Sequence, residues 1–225
     1  GLYYTAISWR LQQNEVKYII ENCGAKTFIA SSDQKAVAEP ILTDIPEVSN
    51  CFSIGGAISG FDDWTTAISG MSIDPIDDES EGQSMLYSSG TTGYPKGVKK
   101  PLPEGAFGGM VQPNMLGMLY AASPESIYLS PAPLYHAAPL GFTMSCLRQG
   151  IAVIVMEHFE AELALEYIER YRITHSQWVP TMFVRMLKLP KEVREKYDVS
   201  SLKAAIHAAA PCPIPIKDKM IEWWG

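Results

Sequence analysis

Short apolar, strand-like runs alternate with helix-like runs along most of the chain, and this alternation restricts its fold more than any other feature. Val16, Ile19 and Ile20 recur at helical spacing. Residues 14–22 therefore read as a helix, with Asn14 as its cap and Gly24 at the left-handed position that ends it. Lys26–Ala30 reads as a strand and Gln34–Leu42 as a second helix. Further strands are expected at Met85–Tyr87, Ile127–Leu129, Ile151–Met156, Ser176–Val179 and Leu202–His207. Helices are expected at Phe107–Ala121, broken or restarted by Pro113, and at Glu160–Tyr171, Met182–Lys188 and Lys191–Tyr197. In Glu160–Tyr171 the residues Ala164, Tyr167, Ile168 and Tyr171 share one face. Strands separated by helices pair in parallel. The fold class is thus α/β, in layered subdomains with mostly parallel sheets and no internal repeat of fixed period.

The pattern weakens between Ser53 and Glu81. This stretch holds Gly55-Gly56, Gly60, Gly70, a short helix near Asp62–Ser69 and the acidic run Asp74–Glu79. The acidic run reads as a solvated connector, with metal binding as the second reading. Residues 1–80 are then a partial first α/β subdomain with its connector, and 81–225 a second α/β subdomain. The ends, Gly1 and the apolar Trp223-Trp224-Gly225, read as those of an internal piece of a longer chain.

Composition narrows the partners. The net charge is −7, and no basic block stands out beyond Lys99-Lys100. A nucleic-acid footprint needs a basic patch, so that class is excluded, and an anionic membrane surface is a poor partner. The four cysteines, Cys23, Cys51, Cys146 and Cys212, lack the clustered spacing of a zinc site or a disulfide framework. They read as reduced, mostly buried thiols of a cytoplasmic protein. The longest aliphatic run, Ile151–Met156, is too short to cross a bilayer.

The chemistry concentrates behind the strand at Met85–Tyr87. Residues 88–97 hold the hydroxyls of Ser88, Ser89, Thr91 and Thr92, the glycines Gly90, Gly93 and Gly97, and Lys96. Glycines bring bare N–H groups close to anionic oxygens, hydroxyls donate further hydrogen bonds, and a lysine adds a mobile positive charge. That set suits a polyphosphate. A flexible polar surface loop is the plain alternative, with Ser88 merely capping the strand end and Lys96 solvated. The order differs from a Walker A loop, because Lys96 precedes Gly97 and no Gly-Lys-Ser/Thr follows.

Ser88-Ser-Gly-Thr-Thr-Gly-Tyr-Pro-Lys-Gly-Val98 resembles the signature loop of the adenylate-forming superfamily, which contains acyl-CoA synthetases, peptide-synthetase adenylation domains and beetle luciferases. Other segments extend the resemblance in order. Gly1–Ala25 is similar to the family's early strand-and-helix segment, here carrying Glu15, Tyr18 and Ile19. Pro133-Leu-Tyr-His136, Met156-Glu-His-Phe-Glu160, Val179-Pro-Thr181, and Ser201-Leu-Lys203 with Ala208-Ala-Ala-Pro211 resemble family motifs. The chain is identified on these residues as part of the family's large N-terminal domain.

The resemblance implies an acyl-CoA synthetase, an acid–thiol ligase acting on a carboxylic acid of the fatty class with ATP, Mg²⁺ and coenzyme A. A non-catalytic nucleotide-binding module that keeps the loop is the alternative. The resemblance makes Ser88, Ser89, Gly90, Thr91, Thr92, Gly93 and Lys96 phosphate ligands. Thr92 and Lys96 take catalytic roles, and Thr92 lies near the metal. It puts His136, Ala208, Ala209, Ala210 and Pro211 around the acyl-adenylate. For His136 the residues also allow a core histidine bonded to a backbone carbonyl. Ala208 stands where the family usually has glycine. His136 stands where amino-acid-activating relatives carry an aspartate for the substrate ammonium, which implies an acid without an α-amino group. His207 reads as structural, His158 as a surface residue and His175 as a simple polar residue. The family's Tyr-x-x-Thr-Glu motif, ribose-binding Asp and adenylation lysine do not occur in residues 1–225. The piece is therefore expected to lack the remainder of its chain and to be inactive alone.

Overall fold

The computed structural model describes residues 1–88, 95–104, 107–108 and 115–225. The chain divides into two compact units, Gly1–Val111 and Gln112–Gly225.

In the first unit, β1 (Tyr3–Tyr4) is followed by α1 (Gln13–Cys23). The helix starts one residue before Asn14, so Asn14 does not cap it. Instead Glu15 Oε2 accepts the N–H of Gln12, the residue at the cap position, at 2.9 Å. Gly24 ends the helix at φ 67°, a left-handed conformation that glycine adopts at least cost. The next strand, β2 (Thr27–Ser31), pairs in parallel with β3 (Asn50–Ile54), and β3 with β4 (Asp62–Asp63). Between β2 and β3 the single helix expected at Gln34–Leu42 is broken. It becomes a 3₁₀ turn at Ser32–Gln34, α2 (Lys35–Ala38) and another 3₁₀ turn at Leu42–Asp44, with Pro40 between the last two. Val16 and Ile20 of α1 pack with Ile41 and Ile45, while Ala30, Ala38 and Ile58 form a small adjoining cluster. α3 (Trp64–Ile68) is capped by Asp63, whose carboxylate accepts the Thr66 N–H at 2.7 Å.

A second sheet of this unit orders β1 beside β5 (Gln83–Ser88) and β5 beside β6 (Lys96–Lys99). β1 and β5 are parallel, β5 and β6 antiparallel. This pairing ties residues 83–88 and 96–99 to the start of the chain. The units consequently meet at Val111 and Gln112, beyond the connector where the sequence pattern weakens.

The second unit holds a four-stranded parallel sheet in the order β10-β9-β7-β8. Its strands are β7 (Ile127–Ser130), β8 (Ala152–Val155), β9 (His175–Trp178) and β10 (Ala204–His207). Around them run α4 (Met115–Tyr120), α5 (Ala137–Arg148), α6 (Ala161–Tyr171), α7 (Pro180–Leu187), α8 (Lys191–Arg194) and α9 (Ile214–Trp224). Of the helix expected at Phe107–Ala121, only α4 falls within the described helical residues. Successive strand residues face opposite sides. Leu129 and Trp178 pack with Ala164, Leu165 and Ile168 of α6, Phe183 and Met186 of α7 and Met220 of α9. Tyr128 and Ile206 pack on the other side with Leu116 of α4 and Cys146 of α5. Helices thus cover both faces, as a parallel sheet requires. No described helix is long and apolar enough to cross a membrane.

β9 reads His-Ser-Gln-Trp, yet all four residues are buried. His175 is accordingly a core residue rather than a simple polar one. Its Nε2 lies 2.9 Å from the carbonyl of Tyr120, which can only accept, so that nitrogen carries the proton. Nδ1 faces the Thr174 hydroxyl at 2.8 Å. The indole N–H of Trp178 donates to Ser176 Oγ at 2.6 Å. Tyr128 Oη and Gln177 Oε1 are buried on the opposite face without a hydrogen-bond partner among the described residues. Burial raises the Tyr128 pKa well above its ordinary value, with a further rise from nearby Cys146. Burial also pushes the Cys146 thiol up to about 12. All four cysteines are free, but Cys146 alone is fully buried, the other three being half-buried.

Ile168→Ala should cost about 2–5 kcal/mol, as a fully buried branched side chain is replaced by a cavity. Tyr128→Phe should stay within about 1 kcal/mol of wild type, since it deletes a hydroxyl that has no partner among the described residues. Denaturant melts of the intact protein measure both. In the folded protein at pH 8, alkylation should spare Cys146 and reach it only on unfolding.

Candidate functional site

Two of the residues expected to hold phosphate, Ser88 and Lys96, end the paired strands of the β5–β6 hairpin. Met85 pairs with Lys99, Leu86 with Val98, Tyr87 with Gly97 and Ser88 with Lys96. Ser88 and Lys96 therefore face each other across the last rung. The Ser88 hydroxyl donates to the Lys96 carbonyl at 3.4 Å. Ser88 thus closes the strand end and, being exposed, still offers its oxygen to a ligand. Lys96 is exposed and makes no ion pair with any described residue, so its ammonium is available to an anion. Ser89, Gly90, Thr91, Thr92 and Gly93 lie outside the described residues.

Gly97 has a local reason to be glycine. A Cβ there would lie 2.6 Å from Met85 Cε and 3.0 Å from Tyr87 Cζ. The Tyr87 ring lies over this bare backbone. Desolvation raises the Tyr87 pKa to about 12, with smaller contributions from Cys23 and Tyr18.

The remaining candidates lie at the carboxyl edge of the second unit's sheet. The winding moves from β7 outward to β8, then crosses back to β9 on the other side of β7. The carboxyl ends of β7 and β9 thus flank a topological switch point, the usual ligand position of an open parallel sheet. Ser130 ends β7 with its hydroxyl accepting from Thr143 of α5 at 3.2 Å, and Pro131–Tyr135 lead to His136. His136 is the residue before α5, in an extended conformation, and its carbonyl accepts the Leu140 N–H at 3.1 Å. Its ring is exposed and stands 4.5 Å from that of Tyr135. A core histidine is therefore excluded, and the ring is accessible at the sheet edge.

Beyond β9, Val179 precedes α7, and Pro180 occupies its first turn, where a missing N–H costs nothing. Beyond β10, the Ala208 N–H donates to the Trp178 carbonyl at 3.1 Å and extends the ladder by one rung. Ala209, Ala210 and Pro211 follow, all exposed. The left-handed residue of this turn is Ala209, at φ 72°, and not Ala208, the position where the family usually has glycine. His136 and Ala208–Pro211 thus follow the carboxyl ends of β7 and β10, two strands that lie two spacings, about 10 Å, apart in the sheet. His207 packs its ring against Phe183 at 6.4 Å, and His158 is exposed beside Glu157.

The sequence pattern singled out the loop but not what supports it. Tyr18 Oη donates to the Pro95 carbonyl at 3.2 Å, and Tyr87 Oη donates to Asn22 Oδ1 at 2.6 Å. The legible signal was the four-residue spacing of Tyr18 and Asn22, which puts both on one face of α1.

A family model described as AMP-binding enzyme matches residues 1–225. The chain belongs to the AMP-binding enzyme family. It is 34% identical over 146 residues to 4-coumarate-CoA ligase 1 of Narcissus pseudonarcissus, covering 62% of this chain and 25% of that protein. It is 28% identical over 235 residues to Acyl-CoA synthetase 7 of Caenorhabditis elegans, covering 98% of this chain and 42% of that one. The chain therefore spans between a quarter and under half of the length of these AMP-binding relatives. The inhibitor-bound N-terminal domain of FACL13 from Mycobacterium tuberculosis matches with a TM-score of 0.80 at 22% identity, over 98% of this chain and 54% of that one. At that identity the likeness is one of fold, and the fold is that of the N-terminal domain of an adenylate-forming enzyme.

Relief of the left-handed alanine gives a direct check on the β10 turn. Ala209→Gly should stabilise the intact protein by up to about 1 kcal/mol, read as a raised melting temperature. An equal or lower melting temperature would show that this backbone is not strained.

Proposed function

We propose that the protein containing this chain activates a carboxylic acid with ATP and passes the acyl group to coenzyme A. In the first step a carboxylate oxygen bonds to the α-phosphorus while the bond to the bridging oxygen of pyrophosphate breaks. In the second a thiol sulfur attacks the acyl carbon and AMP leaves. The observation that carries the reading is the in-register hairpin that sets Ser88 opposite Lys96 at the two ends of a hydroxyl–glycine segment. Membership of the AMP-binding family along the whole chain supports it.

In this reading the hydroxyls of Ser88, Ser89, Thr91 and Thr92 and the N–H groups around Gly90 and Gly93 donate to the β- and γ-phosphate oxygens. The Lys96 ammonium neutralises charge on the departing pyrophosphate. Such charge-assisted bonds are stronger than neutral ones, and donors fixed in advance reorganise little as charge moves. Mg²⁺ suits this donor set, since it takes most of its ligands from phosphate and water, with few from protein. The Thr92 hydroxyl is the proposed protein contact, and the ion supplies charge neutralisation at the phosphates. His136 and the small residues Ala208–Pro211 are assigned to the acyl-adenylate.

The acid has no α-amino group, because His136 and the residues after it, Ala137-Ala-Pro-Leu140, offer no carboxylate to an ammonium. Fatty acids are the expected class. The name of the Narcissus relative adds 4-coumarate to the acids worth assaying.

Pyrophosphate exchange by the intact protein over a panel of carboxylic acids tests the reading. Fatty or aryl acids should support exchange and α-amino acids should not. Lys96→Ala should lower kcat/KM for ATP by about 10- to 100-fold, the loss expected for one or two charge-assisted hydrogen bonds. Undiminished thioester formation by a Thr91→Ala/Thr92→Ala/Lys96→Ala variant would refute the assignment.

A further inference from the structure

We propose that one face of α1 is a clamp that positions the phosphate-binding segment, with Tyr18, Asn22 and Tyr87 as positioning residues. The proposal deepens the reading above and rests on it for its link to ATP.

α1 carries two kinds of surface. Val16 and Ile20 enter the core of the first unit. Tyr18 and Asn22, one helical turn apart, are directed instead to the β5–β6 hairpin. Tyr18 Oη donates to the carbonyl of Pro95, one residue before Lys96. Asn22 Oδ1 accepts from Tyr87 Oη, one residue before Ser88. The two tyrosine rings meet edge to face with centroids 6.5 Å apart. Both ends of the segment between Ser88 and Lys96 are therefore attached to a single helix, by adjacent bonds that share an aromatic contact.

The rest of the hairpin agrees with this arrangement. Gly97 sits under the Tyr87 ring, where any side chain would push the ring from its place against Asn22. On the far strand Tyr3 Oη donates to the Lys100 carbonyl at 2.6 Å, and Lys99 Nζ stands 4.6 Å from the centre of the Tyr3 ring. β6 is exposed along its length, so few apolar contacts hold it. Its position depends on the pairing with β5 and on these side-chain ties. A phosphate-binding segment needs donors placed to within a fraction of an ångström. The ties to α1 fix the residues beside Ser88 and Lys96, the two ends from which such placement starts.

The test uses the intact protein and two readouts. The first is the split between KM for ATP, KM for the acid and kcat in Tyr18→Phe, Tyr87→Phe and Asn22→Leu. Each variant should raise KM for ATP about 5- to 10-fold, the effect of one hydrogen bond, and leave KM for the acid unchanged. Asn22→Asp keeps the acceptor and should restore the wild-type value. An unchanged KM for ATP in all three variants, or an equal change in both KM values, overturns the proposal. The second readout is hydrogen exchange at the amides of residues 96–99. It should speed up about tenfold in Tyr18→Phe while β7 and β9 keep their wild-type protection. Unaltered protection of residues 96–99 overturns the clamp whatever the kinetics show. Faster exchange in the variants of a wild-type protein that binds no ATP supports the clamp and overturns the nucleotide reading.

Discussion

Backbone pairing between β5 and β6 sets the positions on which the rest of the candidate chemistry depends. An antiparallel ladder has a side-chain period of two, so a slip of one residue would turn Ser88 and Lys96 to the other face. Three contacts oppose such a slip. Tyr87 lies over Gly97, the one residue of the pair without a side chain to collide with it. Tyr3 on β1 reaches the carbonyl of Lys100 beyond the end of β6. Tyr87 reaches Asn22 on α1. The hairpin is thus registered by packing on one strand and by hydrogen bonds to two other elements.

The second unit solves a different problem. The central strands β7 and β9 of its sheet are buried on both faces, yet β9 carries His175, Ser176 and Gln177. Ser176 and the Thr174–His175 pair satisfy their polar groups locally, through Trp178, Ile127 and Tyr120. The outcome is a rigid sheet whose carboxyl edge ends in short turns. Those turns carry His136 after β7 and Ala208–Pro211 after β10 on either side of the switch point. The left-handed Ala209 belongs to the same edge. Strained backbone of this kind persists where surrounding structure fixes it, as Ala208 does here by bonding back to Trp178.

Amphipathic elements were legible in the sequence. α6 follows the periodicity of Ala164 and Ile168, and the four core strands fall within a residue or two of the apolar runs that suggest them. α5 was not legible, because Ala137–Arg148 is apolar on nearly all sides and contains Pro139 and Gly141. The proline is tolerated because it lies in the first turn. α9 was hidden by Pro213 and Pro215, which belong to its cap and first turn. β6 reads as loop by composition, since two lysines and a glycine make up most of it, and pairing with β5 makes it a strand. His175 misled for a related reason: the Tyr120 carbonyl that satisfies its Nε2 comes from 55 residues away and leaves no periodic trace. Of the site, the donor-rich segment was readable from residue types alone. Its attachment to α1 was not, because it depends on a helix face meeting a hairpin more than sixty residues away in sequence (Asn22 to Tyr87 spans 65).

The central claim is that the segment opening at Ser88 and closing at Lys96 grips the phosphates of ATP. A crystal structure of the intact protein with Mg²⁺ and a non-hydrolysable ATP analogue tests it most directly. The account predicts β- and γ-phosphate oxygens within hydrogen-bond distance of the hydroxyls at Thr91 and Thr92 and of Lys96 Nζ. A fully occupied nucleotide whose phosphates touch none of these three residues would contradict it.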